Sequence, residues 1–267
     1  MHKRIVFILI VLCVLIVSNG RSDQGDNKKI LSEDNTEIAL NYLENGRDKV
    51  IIIAHGFYNN KDTVLFQEIS DAFSEKYDVI TFDFRGHGKS DGLFTWTAKE
   101  TQDLRAVINY AKEKGYKRVG VVGFSLGAAI TLIEGSQNSN IDSIVSVSAP
   151  SDFWKINYRV WEDEMLKDLK LNMGPKGKGK GIRPGNPFMK KTRPIDVVVN
   201  IAPIPVLFVH GEKDWLIASE HSERLYNKAQ EPKALEIIKN AGHAEKIFDS
   251  FPNEFNEVCL RWFEKTL

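Results

Sequence analysis

Val50-Ile51-Ile52-Ile53-Ala54 is five consecutive apolar residues with no polar residue alternating among them. A strand wet on one face alternates in period two. An unbroken run of this length belongs to a strand buried on both faces, the condition of a parallel sheet covered by helices on each side. Further strand-like segments follow at Val79–Phe84, Val119–Gly123, Ile144–Val147, Val206–Val209 and Leu235–Ile238.

Between these runs the spacing changes to that of helices. Leu65 to Lys76 places Leu65, Ile69, Ala72 and Phe73 on one face. Thr97-Ala98-Lys99-Glu100 has the S/T-x-x-E form of a helix start, and that helix is expected to run to about Lys114 before Gly115. Further helices are expected from Ser125 to about Gly135, from about Ser219, and from about Glu254 to Lys265. Two short strand-like runs flank the turn signal Glu33-Asp34-Asn35. Strands alternating with helices predict one doubly wound α/β domain over residues 21–267, with a mostly parallel sheet of about eight strands. One stretch breaks the rhythm, from about Trp154 to Ala202. Its first part is aromatic and charged, and Gly174-Pro175-Lys176-Gly177-Lys178-Gly179-Lys180-Gly181 follows. So long an irregular stretch inside a compact domain reads as a cap or lid inserted over the sheet.

Residues 1–20 stand apart. His2-Lys3-Arg4 precedes the uninterrupted apolar run Ile5 to Val17, and the small residues Ser18-Asn19-Gly20 follow. This is the layout of a secretory signal peptide, with a retained membrane anchor through residues 5–17 as the alternative. A helix of that run spans about 20 Å, against roughly 30 Å of hydrocarbon. The chain is therefore expected to be exported or membrane-anchored. Cys13 lies inside the leader, leaving Cys259 as the one cysteine beyond it. No internal disulfide can form in the processed chain, and a thiolate zinc site is not expected. Cys259 falls in an apolar helical pattern and reads as a packed residue.

The 36 basic and 36 acidic residues cancel. A strongly basic whole chain, the simplest signature of a nucleic-acid partner, is thus absent. The balance hides an asymmetry. From Lys170 to Arg193 there are eight basic residues (Lys170, Lys176, Lys178, Lys180, Arg183, Lys190, Lys191 and Arg193) and no acid. An acidic body carries one basic segment at 170–193, which reads either as a solvated loop or as a contact to an anionic membrane surface.

Gly123-Phe124-Ser125-Leu126-Gly127 is a G-x-S-x-G motif between an apolar strand and an Ala-rich helix start. That strand–turn–helix setting forces the serine into a strained conformation, exposes its hydroxyl at the carboxyl edge of the sheet, and aims helix N–H groups at developing negative charge. A serine hydroxyl needs a base. Among six histidines, His2 is in the leader, His221 falls in a helix expected at the surface, and His87 sits in the glycine-rich loop after a strand. His55 and His210 end buried strands, and His55 reads as a structural or positioning residue. His243 lies on the loop between the last strand and last helix, over the same sheet edge as Ser125, and is the expected base. The acid that orients it is expected to be Asp214, after the Val206–Val209 strand, with Asp152 and Glu212 as rivals. For the oxyanion, Leu126 N–H follows the nucleophile directly. The second donor is expected from His55-Gly56-Phe57-Tyr58, at Phe57 N–H.

The set His55-Gly56-Phe57, Asp83-x-Arg85-Gly86-His87-Gly88-x-Ser90, Gly123-x-Ser125-x-Gly127, His210-Gly211-x-x-Asp214 and Gly242-His243 resembles the α/β-hydrolase superfamily. It is nearest to the superfamily's serine ester hydrolases of the monoacylglycerol lipase, lysophospholipase and feruloyl esterase kind. The pieces run in order over nearly the whole chain beyond the leader. The resemblance implies the α/β-hydrolase fold and an acyl-ester hydrolase that uses Ser125, Asp214 and His243 without metal or cofactor. Asp83 and Arg85 then look structural. The Lys/Gly loop departs from the pattern and leaves the substrate open. Tyr58, Trp154 and Trp161 are the expected substrate-binding residues, with Phe57, Phe94 and Trp96 as further aromatic candidates or ordinary packing. A peptidase or thioesterase with the same triad, and a non-catalytic binding protein on the same fold, stay open beside the esterase. Oligomeric state is not legible in the sequence.

Overall fold

The computed structural model describes residues 28–153 and 182–267. The leader, the first half of the insertion, Trp154, Trp161 and the Lys/Gly loop lie outside the described residues. Eight strands form one sheet: β1 (Lys28–Leu31), β2 (Glu37–Leu43), β3 (Lys49–Ala54), β4 (Asp78–Phe82), β5 (Arg118–Phe124), β6 (Ser143–Val147), β7 (Val206–Gly211) and β8 (Lys233–Ile238). Their order across the sheet is β1-β2-β4-β3-β5-β6-β7-β8. β1 pairs antiparallel with β2, β2 antiparallel with β4, and every other pair is parallel. This is the α/β-hydrolase fold, and the mostly parallel eight-stranded sheet matches the expectation from the apolar runs.

Seven α-helices are described: α1 (Val64–Ser74), α2 (Glu100–Glu113), α3 (Leu126–Gly135), the short α4 (Pro194–Val197), α5 (Glu220–Lys228), α6 (Lys246–Ser250) and α7 (Pro252–Thr266). The β3 run shows how the sheet is covered. Ile52 packs into a cluster with Leu104, Val107 and Ile108 of α2 and Ala128 and Ile130 of α3. Its neighbours Ile51 and Ile53 point the other way, into a cluster with Phe66, Ile69 and Phe73 of α1 and Phe255, Cys259 and Phe263 of α7. Successive side chains of one strand face opposite sides, so an unbroken apolar run fills both layers. Cys259 is buried in the second layer, as its helical spacing indicates.

Some local expectations shift. The buried stripe of α1 is Phe66–Ile69–Phe73 rather than one built on Leu65 and Ala72, which are only half-buried. α2 begins at Glu100, not at Thr97, whose φ of +79° is incompatible with a helix. The Glu100 carboxylate instead accepts the Thr95 N–H at 2.6 Å and the Thr95 hydroxyl, fixing the turn before the helix. His221, expected at the surface, is buried: its Nδ1 accepts the Ser151 N–H at 3.0 Å. In the second half of the insertion, Val198 and Ile201 are buried in the α2–α3 layer, so residues near the return to β7 pack as core. Arg183 to Gly185 clips onto the loop after β4 through Phe94 N–H to Arg183 O (2.8 Å) and Gly185 N–H to Phe94 O (2.7 Å).

Candidate active site

The parallel register sets the site. Ala54 lies opposite Gly123, Phe124 opposite Val147, Val147 opposite Val209, and Gly211 opposite Ile238. Parallel strands end on one edge, so the loops after β3, β5, β6, β7 and β8 gather there. Those loops carry His55–Asn59, Ser125, Ser148, Asp214 and His243.

Ser125 has φ +52° and ψ −112°, outside the regions a non-glycine residue ordinarily occupies. Its neighbours allow the turn. A Cβ on Gly123 would lie 2.6 Å from the Gly127 carbonyl oxygen, and one on Gly127 would lie 2.3 Å from the Ala54 carbonyl oxygen. Any side chain at either position would push α3 away from the ends of β3 and β5. Ser125 N–H donates to Val147 O at 2.8 Å and pins the strained residue to β6. Strain of this kind costs roughly 1–3 kcal/mol and persists only where the surroundings hold it. Leu126 is the first residue of α3, so its N–H belongs to the turn that lacks intrahelical partners.

The structure brings Ser125, Asp214 and His243 together. His243 Nε2 lies 2.9 Å from Ser125 Oγ, and His243 Nδ1 lies 2.7 Å from Asp214 Oδ2. The other Asp214 oxygen accepts the N–H groups of Leu216 (3.0 Å) and Ile217 (2.9 Å), which fixes the carboxylate plane. Burial alone would raise the Asp214 carboxyl, but the charge of His243 and the hydrogen bonds from His210 and His243 hold it well below the usual carboxylate range. The rivals stand elsewhere: Asp152 faces Arg193 at 3.2 Å, and Glu212 accepts the Asn240 N–H at 2.9 Å.

On the β3 side, Gly56 sits against the Ser125 turn, where a Cβ would be 3.5 Å from Ser125 Cβ. The Gly56 carbonyl accepts from His55 Nδ1 (2.7 Å) and from Asn59 N–H (3.2 Å). His55 Nε2 in turn accepts the Phe84 N–H at 3.1 Å, so the ring is the neutral Nδ1–H tautomer. Burial, with the neighbouring His87, pushes His55 down to about 3 and keeps it neutral. In a trans peptide the N–H points opposite to the C=O. Holding Gly56 O therefore aims the Phe57 N–H.

Tyr58 is half-buried, its ring 4.2 Å from that of Phe57. Phe57 continues into Phe94 (4.9 Å) and Trp96 (5.1 Å), an apolar aromatic wall beside the His55–Asn59 loop. The backbone of Trp96 and Thr97, at φ +58° and +79°, turns this wall toward Phe57. Trp154 and Trp161, the other two substrate residues expected from sequence, lie outside the described residues.

Several supporting groups escaped the motif reading. His210 Nε2 donates to Ile217 O (2.7 Å) and reaches Asp214 Oδ2 at 3.1 Å, giving Asp214 a second histidine contact. Ser148, at φ +51°, accepts the Ala244 N–H at 3.1 Å and ties the His243 loop to β6. Asn59 Nδ2 donates to Glu245 Oε1 at 2.9 Å, linking the His55–Asn59 loop to the His243 loop across 186 residues of sequence. The one local signal was His210, four positions before Asp214 at the same strand end.

Residues 49–178 match the family described as alpha/beta hydrolase fold. The uncharacterized protein YfhR of Escherichia coli O157:H7 is 26% identical over 221 residues, covering 81% of this chain and 70% of that protein. Among solved structures, the Pyrococcus furiosus esterase Pf2001 superposes with a TM-score of 0.72 at 24% identity, covering 90% of this chain and 91% of that one. The alpha/beta hydrolase GrgF from Penicillium sp. sh18 gives 0.77 at 18% identity, covering 90% and 97%. With the sheet order, the strained serine turn and the motif order already in place, these matches show the α/β-hydrolase fold, and residues 49–178 carry the sequence match to that family.

Proposed function

We propose that this protein is a serine hydrolase that cleaves carboxylic esters through an acyl-enzyme. The observation that carries the reading is the continuous relay from Asp214 Oδ2 through His243 (2.7 Å and 2.9 Å) to Ser125 Oγ on a strained helix-start turn. Ser125 Oγ attacks the acyl carbonyl while His243 Nε2 takes its proton. The oxyanion forms against the Leu126 and Phe57 N–H groups. The C–O bond of the ester breaks as His243 returns the proton to the leaving alcohol. Water, deprotonated by the same nitrogen, then attacks the acyl-enzyme and frees the acid. Asp214 holds the His243 tautomer and stabilises the imidazolium. The chain's own residues supply every group in this sequence. The aromatic wall of Phe57, Tyr58, Phe94 and Trp96 supports an apolar acyl portion, and the esterase among the structural relatives supports an ester over an amide or thioester.

The test is a fluorophosphonate probe together with ester, thioester and peptide substrates of graded acyl length, on wild-type protein and Ser125→Ala. Labelling and ester turnover that vanish in Ser125→Ala support the reading. A folded wild-type protein that neither labels nor turns over any ester removes it, and preference for peptides redirects it. The leader at 1–20 and the basic stretch 170–193 extend the proposal to an exported or anchored enzyme working beside an anionic surface. Among the described residues no helix is long and apolar enough to cross a membrane. Replacing Lys176, Lys178 and Lys180 by Gln should weaken binding to anionic liposomes, and unchanged binding at low salt would remove that extension.

A further inference from the structure

His87 sits in the glycine-rich loop after β4, and the relay above does not use it. Its ring is buried between those of His55 (5.1 Å) and Phe94 (5.0 Å), with Phe57 at 6.1 Å. Its Nε2 lies 2.6 Å from the Phe57 carbonyl oxygen and its Nδ1 lies 3.1 Å from the Arg85 carbonyl oxygen. A neutral imidazole has one N–H to give, and the shorter contact takes it, so Nε2–H donates to Phe57 O. Burial pushes His87 down to about 4, which keeps the ring in that neutral form.

This completes a pair. His55 grips the carbonyl of the Gly56–Phe57 peptide, and His87 grips that of the Phe57–Tyr58 peptide. The two soft backbone dihedrals of Phe57 lie between these planes, so holding both carbonyls leaves its N–H one direction to point. The loop carrying His87 is itself anchored. His87 N–H donates to Phe84 O (3.0 Å), and Arg183 N–H donates to Gly86 O (2.8 Å). The buried Asp83 carboxylate accepts Lys61 N–H (2.6 Å) on one oxygen and Lys89 N–H (2.8 Å) on the other, joining the two loops a second time.

We propose that His87 is a positioning residue of the oxyanion hole, whose Nε2–H clamps the Phe57 carbonyl and so holds the Phe57 N–H toward the oxygen of the reacting acyl group. The proposal rests on the reading of Ser125 as nucleophile. A misplaced donor stabilises the transition state less and leaves ground-state binding almost unchanged, so the signature is a fall in kcat at constant KM.

Two amide variants separate the clamp from mere packing. Gln can place its amide nitrogen where His87 Nε2 stands, whereas Asn reaches only the Nδ1 position. Steady-state hydrolysis of an activated ester and fluorophosphonate labelling rates should be measured for His87→Gln and His87→Asn. Hydrogen exchange of a peptide spanning residues 55–60 should be followed in the same proteins. His87→Gln should keep kcat within about threefold, while His87→Asn should lose about 30- to 100-fold in kcat with KM within about twofold and exchange faster over 55–60. His87→Leu, which keeps apolar volume and loses the donor, carries the same expectation as His87→Asn should that variant fail to fold. Equal kcat in the Gln and Asn variants, or unchanged exchange over 55–60 on loss of the donor, overturns the clamp. A wild-type protein without labelling or turnover removes the hydrolase reading instead, and the exchange comparison still decides whether His87 holds the loop.

Discussion

Replacing Asp214 by Asn changes one heavy atom, and the surroundings dictate which way the new amide must face. Oδ1 accepts two backbone N–H groups, from Leu216 and Ile217 at 3.0 and 2.9 Å. An amide nitrogen there would set donor against two donors in a buried turn, at a cost of about 1–3 kcal/mol for each unsatisfied group. The Asn oxygen therefore takes the Oδ1 place and its NH₂ takes the Oδ2 place, 2.7 Å from His243 Nδ1; this gives up the His210 Nε2–H contact at 3.1 Å, while His210 keeps Ile217 O at 2.7 Å. Facing a donor, His243 Nδ1 must become the acceptor, and its proton moves to Nε2. That nitrogen, 2.9 Å from Ser125 Oγ, can then no longer take the serine proton. A wrong tautomer of this kind has cost about 10⁴ in kcat in another Ser-His-Asp enzyme, and the same loss is expected here, about 5.4 kcal/mol of barrier. The assay is kcat and KM on the best ester from the panel, with near-ultraviolet circular dichroism and a urea titration to show that the variant is folded. A folded Asp214→Asn that keeps a tenth or more of wild-type kcat would refute the assignment. Asp152→Asn, measured beside it, should change kcat by less than about threefold.

Gly127→Ala should destabilise the fold by about 3 kcal/mol or prevent soluble expression, because its Cβ would stand 2.3 Å from the Ala54 carbonyl oxygen and 2.5 Å from that of His55; a urea midpoint like wild type would contradict this. Arg85 donates to Asp103 at 2.7 Å and to Asp34 at 2.8 Å, and both Arg85 and Asp103 are buried. Arg85→Met should cost about 3–5 kcal/mol by leaving the Asp103 charge unpaired, and Asp103→Asn in the same background should recover part of it in a double-mutant cycle. Burial holds His55 at about 3 against an ordinary 6.5, so the unfolded chain takes up this proton first as pH falls. Its contribution to stability is full above pH 6.5 and drains away toward pH 3. The stability gap between wild type and His55→Asn should thus shift by about 1.4 kcal/mol per pH unit in that window, and a pH-independent gap would sink the argument.

The reach of the sequence differs from residue to residue. Val50–Ala54 disclosed a doubly buried strand because both neighbouring layers demand apolar side chains, a demand that acts at each residue separately. Gly123-x-Ser125-x-Gly127 disclosed its turn because a Cβ at either glycine would strike backbone oxygen, a local exclusion that no distant partner relieves. The expected start of α2 failed at Thr97, where packing of Trp96 against Phe57 and Phe94 draws the backbone to positive φ and overrides a capping pattern. His221 is buried rather than exposed because its Nδ1 is satisfied by the Ser151 N–H, 70 residues away in the chain, a partner that no local pattern displays.

By itself, the sequence determined the fold class, the strained serine turn and the order in which Ser125, Asp214 and His243 follow along the chain. Tertiary structure decided which groups touch: that His243 stands between Asp214 and Ser125, that Asn59 reaches Glu245, and that His55 and His87 hold successive carbonyls of one loop. Residue pattern records the burial each position must satisfy. A hydrogen bond between residues 118 apart, as between Ser125 and His243, depends instead on strand order and register, which bring five loops to one edge of the sheet.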